Sequence, residues 1–116
     1  MLLSIEDAIV KKIDGFIELK AYFYILGGIN EMAFLSDSND GDFEKIITLP
    51  EDIIPQVIEQ DETFGVLVGG KYAYYAMKAI VKGVITIVND QHFFNIVEEL
   101  TLIENDRRQV FTFSIS

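Results

Sequence analysis

The sequence predicts a single α+β domain over residues 1–116, built on a mainly antiparallel, strongly curved β-sheet or partial barrel of about six to eight strands with two short helices. Three observations lead there. Half of the 116 residues are hydrophobic, enough for one ordinary core and too many for a disordered chain. Most apolar runs alternate with period two and end in Gly-Gly or Asn-Asp-Gly turn signals. Only two stretches carry helical spacing, and no linker or low-complexity segment divides the chain.

The first helix is expected after Ser4, a good N-cap, with Ile5, Ala8, Ile9 and Ile13 on one face. Glu6 and Asp7 suit its first turn, Lys11 and Lys12 its last, and Gly15 is a natural stop. From Phe16 to Leu26 the period becomes two: Ile17, Leu19, Ala21, Phe23 and Ile25 share one face and Glu18, Lys20, Tyr22 and Tyr24 the other. Gly27-Gly28 permits a reversal into a return strand from Ile29 to Ser36, and Asn39-Asp40-Gly41 leads into another from Phe43 to Leu49. Residues 16–49 therefore read as a three-stranded meander.

Pro50 to Ile54 should form a tight turn, and a short helix should begin at Pro55 with Ile54, Val57 and Ile58 inward. Strands follow from Thr63 to Val68 and, after Gly69-Gly70, along Lys71 to Asn89, where Gly83 marks a bulge or bend. Phe94 to Glu104 and Gln109 to Ile115 form a last hairpin around Asn105-Asp106-Arg107, with Phe111, Phe113 and Ile115 inside. The two Gly-Gly hairpins echo one another weakly, as a duplication or as chance.

Charge narrows the function. There are 19 acids against 9 bases, a net of -10 with a pI near 4.3, which opposes direct nucleic-acid binding. The excess is local: Glu31 to Glu62 carries ten acids and one lysine, while Thr63 to Asn89 has no acid and three lysines. The acid-free stretch is β-prone and aromatic, suited to burial between copies, so a dimer or higher homo-oligomer is expected. The acidic segment, with Asp37, Asp40, Asp42, Glu44, Glu51 and Asp52, is expected to face a basic protein partner. With no secretory leader and no membrane-length apolar run, the reading is a cytoplasmic protein without membrane contact.

Catalytic and metal motifs are scarce. The chain has no Cys and one His, which removes thiolate zinc sites, iron–sulfur clusters and multi-His centres, so no metal or other cofactor is expected. The loop from Asp37 places Gly41 and Asp42 out of register for an EF-hand, and a solvated turn is the better reading. His92 lies two residues from Asp90, but no serine stands in a nucleophile-elbow context. Adjacent carboxylates such as Glu98 and Glu99 would project to opposite faces of a strand.

Tyr22 and Tyr24, and again Tyr72 and Tyr74, are two apart and so share a strand face. Together with His92 they suit a subunit interface, a ligand pocket or a stabilising aromatic ladder. Lys78 to Thr86 is similar to the opening strand of an OB-fold, yet too few residues follow it for four more strands, and the negative charge opposes the use such a fold makes of nucleic acid. The expected function is that of a self-associating acidic interaction protein of the toxin-neutralising, inhibitor or DNA-mimic type. A small-molecule binder or enzyme with a Tyr-lined pocket is the alternative.

Overall fold

A computed structural model describes residues 2–26, 32–37, 46–60, 73–104 and 107–113. The chain opens with a two-residue strand, β1 (Leu2–Leu3), and a helix, α1 (Ile5–Val10). Ser4 is the N-cap: its hydroxyl accepts from the Asp7 amide at 3.1 Å, and the Asp7 carboxylate accepts from the Ser4 amide, a reciprocal capping box. The helix is shorter than expected and Gly15 is not its stop. Lys12, with φ of 49°, takes the left-handed position, so that Lys12 N–H donates to the Ile9 carbonyl and Ile13 N–H to that of Ala8, a Schellman closure without glycine. Gly15, at φ of 93°, instead opens the first long strand.

That strand is β2 (Gly15–Leu26), followed by β3 (Met32–Ser36) and β4 (Ile46–Thr48) in antiparallel order, the expected meander. The inward face of β2 is the one alternation predicted: Ile17, Leu19, Ala21, Phe23 and Ile25 are all buried. Next comes α2 (Ile53–Gln60), which begins two residues earlier than expected. Pro55 sits in its first turn, where the missing N–H has no intrahelical partner to lose. The earlier start rotates the buried stripe to Ile53, Ile54 and Val57, leaving Ile58 half exposed.

Two strands then run nearly the length of the molecule. β5 (Ala73–Val88) and β6 (Gln91–Glu104) form a hairpin through Asn89 and Asp90, both at positive φ as a two-residue type I′ turn requires. The sequence reading treated Asn89 as a strand end and missed this hairpin. β7 (Arg107–Thr112) pairs back on β6, with Phe111 buried and Phe113 packed against the core. The expected strand at Thr63 to Val68, both Gly-Gly turns and Ile115 lie outside the described residues.

The sheet closes. Its path β1-β2-β3-β4-β6-β5 returns on itself because β5 also pairs with β2 along all 12 residues of β2. Five strands thus form a ring, β2-β3-β4-β6-β5, whose pairings are antiparallel except β4 with β6. Numbered along the chain, the ring runs 1-2-3-5-4-1 with a helix between the third and fourth strands, the connectivity of an OB-fold barrel. The segment Lys78 to Thr86 lies in the fourth strand rather than the first, which is why too few residues seemed to follow it. The likeness is one of strand order and carries no activity. Both helices insert apolar residues into the barrel core, Ile5 and Ala8 from α1 and Ile53, Ile54 and Val57 from α2, among Phe23, Leu35, Ile47, Phe94, Leu100 and Phe111.

Closure bends the strands sharply, and β6 absorbs the bend at two bulges. Register shifts against β5 fall between Lys82 and Gly83 and between Val84 and Ile85, so the buried positions on β6 run 92, 94, 97, 100 and 102 instead of alternating strictly. Gly83 lies at the first bulge, as its place in a β-run suggested. A Cβ there would stand 2.1 Å from the Ile96 carbonyl oxygen and 3.1 Å from the Phe94 ring. β7 leaves an outer edge, and α2 covers its end. The Gln60 side-chain amide donates to the Thr112 carbonyl at 2.7 Å and accepts from its N–H at 3.1 Å, standing in for the next strand.

Gly83→Ala is expected to destabilise the protein by about 1–3 kcal/mol, since the obstruction is backbone rather than a movable side chain. Urea denaturation reads this directly, and an unchanged midpoint would show that β5 and β6 do not approach so closely.

Candidate functional site

Two features stand out, a cleft and a charged face. The cleft, about 340 Å³, is lined by Ile9 of α1, Ile46 and Thr48 of β4, the Asp90 turn and Gln91 to Phe93 of β6. It forms where the ring is thinnest, because β4 is three residues long and meets β6 through one register pair, Thr48 with Phe93. His92 shares the inward parity of Phe94 and is 7% exposed. Its Nε2 is buried with no hydrogen-bond partner. A buried unsatisfied group costs about 1–3 kcal/mol, and the other buried β6 positions, such as Phe94 and Val97, are apolar. Asp90 is exposed at the rim. No group of three His, Cys, Asp or Glu residues able to hold a metal occurs among the described residues.

The expected tyrosine cluster is divided. Tyr22 and Tyr24 share the outer face of β2, as their spacing required, but their surroundings differ. Tyr24 is 5% exposed and stacks on Phe34, its register partner on β3, with ring centroids 5.3 Å apart and planes 12° from parallel. Tyr22 is half-buried beside Lys78. Tyr72 and the Tyr74 side chain lie outside the described residues, and no described tyrosine lines the His92 cleft.

The charged face follows from the strand register. Side chains directly opposite one another in antiparallel strands project to the same side, so three rows can be traced outward across β2, β5, β6 and β7. One row runs Tyr22, Lys78, Ile103, Arg108; the next Lys20, Ile80, Thr101, Val110; the third Glu18, Lys82, Glu99, Thr112. Four cations stand against Glu18 and Glu99 in these rows and the exposed Glu98 of the adjoining β6 bulge, a narrow positive balance on a protein of net charge -10. Lys82 and Glu18 form a half-exposed ion pair at 3.8 Å, worth little to stability. Val110 is 52% exposed and Phe16, just beyond the rows, is 61% exposed, so the face is apolar as well as basic.

Three further exposed acids lie around β4. Asp37 follows β3, and Glu51 and Asp52 occupy the turn between β4 and α2; all three are exposed. Asp40, Asp42 and Glu44 lie outside the described residues. In a ring of five strands, β4 stands opposite the β2–β5 pairing, so Asp37, Glu51 and Asp52 lie across the barrel from Lys20, Lys78 and Lys82. The basic face was half visible in the sequence, where Lys78 and Lys82 have strand parity and Lys20 is outward. What was missing was that β2 and β5 are neighbours.

The chain matches no protein-family model, no curated protein and no solved structure.

His92→Leu is expected to raise the unfolding free energy by about 1 kcal/mol or more, because it removes a buried group that lacks a partner. A loss of stability on denaturant titration would show that the imidazole is paired in solution.

Proposed function

We propose that the protein is a self-associating interaction module that presents an acidic surface to a basic protein partner. The observation behind this reading is the separation of charge by the barrel: exposed Asp37, Glu51 and Asp52 flank β4, while Lys20, Lys78 and Lys82 project from the opposite side. A concentrated acidic side steers a cationic partner over distances comparable with the Debye length and orients it on arrival. Inhibitors of nucleic-acid-binding proteins work through such surfaces. A cytoplasmic location accords with this role, and no described helix is long and apolar enough to cross a membrane.

A second reading has one observation in its favour. The buried, unpartnered Nε2 of His92 beside a cleft suits a small ligand whose polar group satisfies it. That cleft would then be the binding site in place of a tyrosine-lined pocket.

The interaction reading is tested with lysozyme as a basic probe on immobilised protein. Retention is expected to fall steeply between about 0.01 M and about 1 M salt, as the Debye length shrinks from about 30 Å to about 3 Å. Glu51→Lys with Asp52→Lys should weaken binding at least several-fold more than Asp14→Lys with Glu98→Lys, which changes the total charge equally. Equal loss in both variants would mean that only net charge matters and that there is no acidic site.

A further inference from the structure

We propose that copies of the chain assemble head to tail, the outer face of the β2–β5 seam in one copy receiving the acidic side around β4 of the next. The inference rests on the interaction reading above and names the first basic partner as a second copy of the chain. Its basis is complementarity between two surfaces of one molecule. Lys20, Lys78, Lys82 and Arg108 gather on the seam face, and Asp37, Glu51 and Asp52 lie across the ring.

Because the two surfaces lie on opposite sides of a closed barrel, they cannot satisfy one another within a copy. Contact between them is therefore heterologous, and repetition gives a closed ring or an open filament rather than a two-fold dimer. The seam face also carries what a lasting contact needs beyond charge. Tyr22, Ile80 and Val110 interleave with the cations and supply apolar area. A nucleic-acid strand is the less suitable occupant. It would meet Glu18 and Glu99 in the third row, find one described tyrosine for stacking, and be repelled by the chain's overall charge. Occupation of the acidic side by a neighbouring copy would also compete with any other basic partner, so assembly and partner binding would exclude one another.

The test is charge reversal with cross-mixing, read by analytical ultracentrifugation of the full chain. Wild type is expected to assemble at about 100 μM, where interfaces of micromolar affinity are well occupied. Lys20→Glu with Lys78→Glu should be monomeric, and Glu51→Lys with Asp52→Lys should be monomeric as well. Mixing the two should restore assembly, since each supplies a surface opposite in charge to one on the other. None of the substituted strand positions, Lys20, Lys78 and Arg108, has a charged register partner, and matching far-UV circular dichroism confirms folding; Lys20→Glu with Arg108→Glu serves as a second basic-face variant. If reversing the acids leaves the oligomer intact while reversing the lysines breaks it, the seam face pairs with itself and head-to-tail assembly is wrong. If wild type assembles and neither reversal matters, this inference fails and self-association stands. A monomeric wild type overturns both. Specific binding of oligothymidylate that is lost in the lysine variant would assign the face to nucleic acid and overturn the proposal.

Discussion

The pairing of β2 with β5 is the constraint on which the rest of the structure depends. Without it the chain would be an open, curved sheet with two long apolar edges; with it every residue of β2 has a neighbour on β5 and the sheet becomes a barrel. Closure requires β5 and β6 to bend sharply, and Gly83 with the two β6 bulges makes that possible. It also decides what is inside. Ile17, Leu19 and Phe23 meet Ala79, Val81 and Leu100 in one core because their strands lie in one ring.

The proposed function draws on the same closure. A ring has opposite sides, and exposed Asp37, Glu51 and Asp52 lie near β4 while a run of cations lies on the β2–β5 seam. The ion pair of Lys82 with Glu18 is half exposed and adds little to stability. The price of a short β4 is a thin wall between β4 and β6, and the His92 cleft lies there with a buried nitrogen that the fold leaves unsatisfied. Those two features use different parts of the barrel and need not depend on one another.

Local features were legible in the sequence where one short segment decides them. The Ser4 cap, the two faces of β2, the meander from β2 to β4 and the bulge at Gly83 each follow from residue type and period. Boundaries failed where another residue did the same job: Lys12 ended α1 in place of Gly15, and Pro55 was tolerated inside the first turn of α2. The Asn89-Asp90 turn was overlooked because a long apolar run obscured it. The sites were less legible for a different reason. Tyr24, expected among ligand or interface candidates, stacks on Phe34, ten residues away in sequence and directly opposite in register, a neighbour that its own strand does not reveal. Likewise the basic face joins Lys20 to Lys78 and Arg108, a grouping that depends on strand order and that no period within a single strand reveals.

Hydrogen exchange followed by NMR tests the closed ring most directly. Backbone amides bonded across the β2–β5 seam are expected to be among the slowest in the protein, exchanging only through global unfolding, while those on the outer edge of β7 near Val110 exchange through local opening. If seam amides exchange as fast as those at the β7 edge, the barrel is open, and the opposed placement of acids and lysines derived from it does not hold.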